Sequence, residues 1–402
     1  MADILIAGGG IGGLAAALGL AKRGHQVTVL ERRDVFTEVG AGIQLGPNAF
    51  HALDLLGVGQ EVRDRAVFID ELRFMDGTTG EKVAAMPVKE TYRVRFGNPY
   101  AVVHRVDLYL PLLEAARRHP GIELLGRHHV VAYEQKAGAV CAVLADGRHI
   151  TGDALIGADG LHSAIRQQMV GDGSPRVSGH TIYRSVIPME EVPEELRWNT
   201  VTLWAGPKWH FVHYPIAGGE HFNLAATRDD GATEAVAGAP AEHGHVVNSF
   251  PELSGAARRL LELGRDWKSW VLCDRDPVDR WTEGRVALLG DAAHPMLQYA
   301  AQGACQAVED AVLLSGLLDD CPVDFEQRLE KYNAARRERT AQVQLVAREM
   351  GRQLYHAAGD ARVERNAMLA SLSADDMYDK VAWLHGAYDF EAEAAGRAGG
   401  AG

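Results

Sequence analysis

The chain has 402 residues, 47% of them hydrophobic, enough to bury a large core as two interlocked domains or one composite. Its formal net charge of −13 argues against non-specific binding of nucleic acid or an anionic membrane, so an anionic small molecule must be drawn in by local positive charge or hydrogen bonds. Four scattered cysteines (Cys141, Cys273, Cys305, Cys321) lack metal-ligand spacing, no apolar run approaches the roughly 20 residues that cross a bilayer, and a core strand close behind Met1 leaves no room for a signal peptide; the expectation is a soluble cytoplasmic protein without a metal.

Residues 3 to 31 carry the strongest pattern. Ile4 to Ala7 reads as a strand buried on both faces, Leu14 to Arg23 as a helix, and Val27 to Leu30 as a second buried strand. Between the first two, Gly8, Gly10 and Gly13 fit G-x-G-x-x-G. The first glycine permits the tight turn, the second lets a pyrophosphate approach the backbone, and the third lets helix and strand pack closely. The phosphates then meet free N–H groups at the helix start. Glu31 lies 18 residues after Gly13, where a carboxylate accepts hydrogen bonds from a ribose diol and repels a 2′-phosphate. The block predicts a dinucleotide site.

Further along, Glu38 to Asn48 is glycine-rich and poor in charge, a flexible lining for a mobile ring, and Ala49 to Leu56 is helical. Residues 67 to 103 alternate as short strands of a second, mixed sheet. Val102 to Leu113 reads as a strand feeding a helix, with Arg105 at the junction and Asp107 as N-cap. Ile122 to Ala158 is a strand meander through the Asp146-Gly147 turn, ending at Asp159-Gly160 and a helix from about Ser163 to Met169. Asp159, with Arg166 beyond it, suggests a second cofactor-facing junction. Residues 176 to 275 are aromatic-rich and strand-like, suited to a pocket wall. Val286 to Gly290 returns to the buried parallel type, 303 to 318 is a strong helix, and Phe325 to about His356 is long, charged and helical.

Gly290-Asp291-Ala-Ala-His294-Pro295 runs from a strand end through an exposed acid into a proline-stiffened loop. A helix follows, whose free N–H groups near Gln302 and Gly303 point its positive end at a bound ring. A flavin uses such donors, because reduction puts negative charge on its N1–C2=O edge. Taken together, Gly8 to Gly13 with Glu31, Asp159-Gly160, and Gly290-Asp291 with His294-Pro295 resemble the single-component flavoprotein aromatic hydroxylases, the p-hydroxybenzoate hydroxylase-like group. Within it, the Glu38-to-Gly46 loop, His104-Arg105-Val-Asp107-Leu and Leu297-Gln298-Tyr299 look most like 3-hydroxybenzoate 6-hydroxylases and salicylate hydroxylases.

The resemblance implies bound FAD, NADH or NADPH as a transient reductant, and O₂, which would form a flavin C4a-hydroperoxide that transfers OH to a small phenolic acid. It fits that no second G-x-G-x-x-G is present. The cofactor-binding set implied is Gly8, Gly10, Gly13, Glu31, Arg32, Ala41, Arg105, Asp159, Asp291, Pro295 and Gly303. Electrophilic hydroxylation runs faster on a phenolate, so a base beside the phenol helps. In Trp209-His210-Phe211-Val212-His213-Tyr214-Pro215, period-two geometry puts His210, Val212 and Tyr214 on one face and Phe211 and His213 on the other. The family carries a pocket histidine and a tyrosine four residues on, together with a loop glutamine. These match His210, Tyr214 and Gln298, the expected catalytic residues; a slip of one residue would exchange the two histidines. Arg184 is a candidate for a substrate carboxylate, and His294 is expected to orient the flavin loop.

The predicted architecture is α/β: a Rossmann-like FAD-binding domain (1–68, 100–172 and 276–320) interleaved with a mostly antiparallel substrate sheet (69–99 and 173–275), C-terminal helices (321–388) and a disordered tail (389–402). A homodimer through the long helix from Phe325 is left open. The competing readings are the same chemistry on a larger biosynthetic aromatic, and a non-catalytic nucleotide-binding protein on the same scaffold.

Overall fold

The computed structural model describes residues 1–38, 40–136, 138–253, 255–319 and 324–394. Its organising element is a six-stranded sheet in the order Thr282–Glu283, Val286–Leu288, Ala154–Gly157, Asp3–Ala7, Gln26–Leu30 and Ile122–Leu125. All pairings but the outermost, Thr282–Glu283 on Val286–Leu288, are parallel. Ile4 and Ile6 are fully buried, as the continuous apolar run requires of a strand covered on both faces. Helix Ile11–Lys22 leaves the first strand and packs along Gly303–Leu317, so the two ends of the dinucleotide region lie side by side.

A second sheet of eight strands runs Ala237–Pro240, Lys268–Asp274, Arg176–Pro188, His221–Asp229, Trp209–Ile216, Thr200–Gly206, Glu71–Asp76 and Lys82–Pro87. Only Thr200–Gly206 on Glu71–Asp76 is parallel; the fold class is the α/β composite the motifs imply. One face of Trp209–Ile216 is sealed. Trp209, Phe211 and His213 lie among Trp204, Phe222 and Phe250, with Trp209, Phe211 and His213 at 0% exposure. Burial of Phe211 alone stabilises by roughly 1.5–3 kcal/mol. That apolar face is what fixes the register and turns the alternate residues towards the first domain.

Local expectations are corrected in four places. The 67–103 segment is not all strand: helix Glu90–Phe96 interrupts it, and Ala101–His104 leaves the large sheet to pair with Gly42–Leu45 and Val67–Phe68. The glycine-rich loop therefore contains a strand, Gly42–Leu45. The cap of helix Arg105–Arg118 is His104, whose Nδ1 accepts from the Val106 amide at 3.3 Å, and Asp107 sits inside the first turn. The tail expected from residue 389 begins as a helix, Phe390–Ala394, with Phe390 buried; residues 395–402 lie outside the described residues, as does Cys321.

The C-terminal region packs on the face of the large sheet that carries His210, Val212 and Tyr214. Helix Phe325–Glu349 runs into a π-helical turn, Met350–Tyr355, and helices Gly359–Ala370 and Ala374–His385 follow. Arg362 holds Asp76 at 2.7 Å, tying this region to the sheet edge. No helix among the described residues is long and apolar enough to cross a membrane.

Candidate active site

The glycine loop fits a pyrophosphate by elimination. A Cβ on Gly8 would stand 2.3 Å from the Ala158 carbonyl oxygen, and one on Gly13 would stand 2.0 Å from that of Gly8. Gly8 also has φ +107°, a conformation that L side chains rarely adopt. A Cβ on Gly10 would meet nothing within 4 Å. Two of the three glycines are thus demanded by the protein's own packing. The middle one faces open space, where a phosphate belongs.

The other nucleotide-side residues ring one cleft. Glu31, Arg32, Asp159 and Arg105 line it. Glu31 accepts from the Gly9 amide at 2.8 Å and from the Arg33 amide at 2.9 Å, so it braces the loop from the ribose position. One Asp159 oxygen caps helix Ala164–Met169 through the Ala164 amide at 2.8 Å; its Oδ1 is buried with no hydrogen-bond partner. Burial pushes this carboxyl's pKa up. An orphaned acceptor there is suited to a ligand hydroxyl. Ala41 does not line this cleft and positions Arg105, whose amide donates to its carbonyl at 3.1 Å. Arg166 corrects the expectation of a cofactor-facing arginine. It is fully buried, holding Asp172 at 2.7 Å and donating to the carbonyls of Ala292 and Ala293, which braces the Asp291 loop from behind.

A second cavity, of about 340 Å³, joins the first at Gly10, Ala158, Gly160 and Arg105. Asp291 and Gly303 line it on one side, while Pro295 is buried behind it with its carbonyl accepting from Gln344 at 3.0 Å. His294 makes no approach to the cavity. Its Nε2 meets Asp310 Oδ2 at 2.6 Å, and the same oxygen accepts from the Gly290 amide at 3.0 Å. Burial opposes the Asp310 charge, but His294 and Arg336 hold the carboxyl down to about 2. Arg336 also binds Glu309 at 2.6 Å, fully buried. This ionic cluster fixes the Asp291 loop against helix Gly303–Leu317. Glu309-Asp310 in an apolar helix and Arg336-x-x-Arg339 in the next were its sequence signals, and they pass unread when each helix is taken alone.

The far wall is the large sheet. Arg184 lies opposite Ala225, which lies opposite Val212, and His210 pairs with Thr227. His210, Val212, Tyr214, Ala225 and Arg184 all line the cavity. His213 points the other way, its Nε2 accepting from Trp204 Nε1 at 3.0 Å. His210 is therefore the pocket histidine. Arg184 donates to Gln298 Oε1 at 2.6 Å, and Gln298 Nε2 lies 3.5 Å from Thr227 Oγ1. No carboxylate among the described residues pairs with Arg184, and burial lowers its pKa from the usual value. Burial raises Tyr214 to about 12, so its hydroxyl stays protonated.

A family model described as an FAD binding domain matches residues 1–347. The chain belongs to that family. It is 50% identical over 384 residues to 3-hydroxybenzoate 6-hydroxylase 1 of Aquipseudomonas alcaligenes, covering 96% of this chain and 97% of that protein. It is 46% identical over 383 residues to the 3-hydroxybenzoate 6-hydroxylase of Polaromonas naphthalenivorans strain CJ2, covering 95% of each. Among solved structures, a salicylate hydroxylase substrate complex superposes with a TM-score of 0.83 at 28% identity, covering 98% of this chain and 97% of that one.

For a member of the FAD-binding family the two joined cavities divide naturally. Gly10, Glu31 and Asp159 would hold the adenosine diphosphate half; Arg105, which lines both cavities and meets Glu38 at 3.3 Å, would stand at the pyrophosphate; and Asp291 with the N-terminus of Gly303–Leu317 would face the flavin. The residues fit the cofactor. Tyr299, Tyr355 and His356 close the pocket behind His210 and were not singled out from sequence as pocket residues. Tyr355 and His356 come from the π-helical turn of the C-terminal region, and no local pattern links that turn to a strand so far away in the chain.

Proposed function

We propose that the protein is an FAD-dependent monooxygenase that uses NADH or NADPH and O₂ to hydroxylate a small phenolic acid, with 3-hydroxybenzoate as the substrate and the ring carbon para to its hydroxyl as the one attacked. The observation that carries this is the pairing, on one cavity wall, of a cation that no carboxylate among the described residues neutralises (Arg184) and a neutral histidine (His210). They suit the two ends of a hydroxybenzoate.

Bound FAD, once reduced, supplies the activated oxygen. The protein does the rest. Arg184 and the Gln298 amide receive the substrate carboxylate by charge-assisted hydrogen bonds, stronger than neutral ones. Tyr214 donates its proton without losing it. His210 accepts the phenol proton, and the phenolate drives electron density to the para carbon, where attack is fastest. Sheet and C-terminal aromatics keep water away from this point. A cavity of about 340 Å³ favours the small acid over a larger biosynthetic aromatic.

The relatives' names support the substrate assignment, since both are 3-hydroxybenzoate 6-hydroxylases. A cytoplasmic location suits an enzyme that draws on NAD(P)H; light scattering would tell monomer from homodimer. The deciding experiment measures O₂ and NADH consumption across a panel of hydroxybenzoates, with product identification. A 2,5-dihydroxybenzoate product from 3-hydroxybenzoate is expected. Purified protein that is colourless and takes up no FAD would defeat the proposal.

A further inference from the structure

The polar groups behind the pocket do not stop at His210. Its Nδ1 lies 2.8 Å from Nε2 of His356, the residue that ends the π-helical turn 146 positions later. The ring planes are inclined by 32° with centroids 5.1 Å apart. His210 is 2% exposed and His356 9%, so the second ring is the one nearer to solvent. His180 stands against His356 with centroids 4.9 Å apart, and its Nδ1 is 2.5 Å from the Tyr299 hydroxyl. The other titratable groups facing the cluster are Tyr355, against His210, and Asp229 and Asp230, which act on His180. Neither holding a cofactor nor gripping a carboxylate calls for two hydrogen-bonded histidines here.

Two neutral imidazoles share a hydrogen bond only when one donates and the other accepts. With Nδ1 of His210 donating, its Nε2 keeps a lone pair for a ligand in the pocket. Burial, with His180 alongside, lowers His356 to about 3, and burial lowers His210 well below its usual value. Such a base accepts a proton readily only if it hands one on in the same event.

We propose that His356 relays the phenol proton: it takes a proton from the far side of His210, releases one to water, and returns one when product forms. This rests on the reading of His210 given above. In the forward step the phenol O–H bond breaks and an Nε2–H bond forms on His210. Concertedly, the His210 Nδ1–H bond breaks and an Nε2–H bond forms on His356. In the same event the His356 Nδ1–H bond breaks and that proton passes to solvent, and no electrons are transferred. Reversal protonates the product oxygen and restores both starting tautomers, so one turnover leaves the relay as it began.

The test uses FAD-loaded holoenzyme and 3-hydroxybenzoate, following phenolate absorbance in stopped flow with a pH-indicating dye. Wild-type enzyme should form phenolate with one matched proton released. His356→Phe should stay yellow and bind substrate, yet form phenolate about 100-fold more slowly. Its rate should rise with hydroxide, and added imidazole or the polar variant His356→Gln should recover part of it. Wild-type rate and pH profile in His356→Phe would overturn the relay alone. Absence of phenolate in the wild type at every pH would overturn the relay and the reading of His210 together. The wild type alone also decides it: a proton inventory in H₂O/D₂O mixtures that is bowed, with more than one proton in flight, supports the relay, and a straight one overturns it.

Discussion

Arg184 on strand Arg176–Pro188 would be an ordinary strand arginine were it not for Gln298, whose side-chain oxygen it meets at 2.6 Å from a loop 114 residues away. That contact holds a cation in the pocket without neutralising it. In a chain of net charge −13, it supplies the local attraction that an anionic aromatic needs.

Replacing Arg184 with methionine should therefore raise KM for 3-hydroxybenzoate by about 10- to 100-fold, the equivalent of the roughly 1.5–3 kcal/mol of a hydrogen bond to a charged group. The uncharged amide of the same substrate should lose little. Steady-state kinetics on the pair of compounds checks this, and equal losses on both would remove Arg184 from carboxylate binding.

His210→Ala should leave the flavin in place and uncouple the enzyme, cutting hydroxylation about 100-fold or more while NADH is still consumed and peroxide accumulates. Product and peroxide assays run side by side read the ratio. Coupling equal to the wild type's would exclude His210 from the mechanism. His213→Asn should instead cost stability, because that ring is packed on the opposite face.

The glycines separate by what surrounds them. Gly13→Ala puts a methyl 2.0 Å from a backbone oxygen and should lower yield and Tm whether or not FAD is added. Gly10→Val points into open space, so its apoprotein should melt like the wild-type apoprotein yet bind FAD more than about tenfold more weakly. Melting curves and flavin absorbance of the two variants test the contrast; a Gly10→Val protein that retains FAD at full strength would refute it.

Stability should fall on mild acidification. His213, His356 and His385 are each lowered to about 3 by burial, against 6.5 for an unfolded chain. Below pH 6.5 the unfolded chain binds protons that the folded protein refuses, so stability is complete above that pH and is lost as pH drops towards 3. The loss approaches roughly 1.4 kcal/mol per pH unit for each histidine. Thermal melts between pH 7.5 and 4.5 should show Tm declining from just below pH 6.5, and a flat profile to pH 4.5 would contradict this.

Features that repeat over a short range could be read from the chain before it was folded. Gly8, Gly10 and Gly13 between an apolar run and a helix, with Glu31 at its distance, can satisfy few other folds, because packing leaves no room for a side chain at Gly8 and Gly13 and a pyrophosphate needs bare backbone at Gly10. Alternation in Trp209 to Pro215 likewise put His210 and Tyr214 together and His213 apart. Which distant groups share a space emerged from the folded protein: Arg184 with Gln298, His210 with His356, and Asp310 with His294 and Arg336. It also turned Arg166 inward as a brace and made His104 the helix cap. The physical reason is that a side chain's environment is set by packing between elements far apart in the chain, and no local period records which of two faces a remote helix will cover.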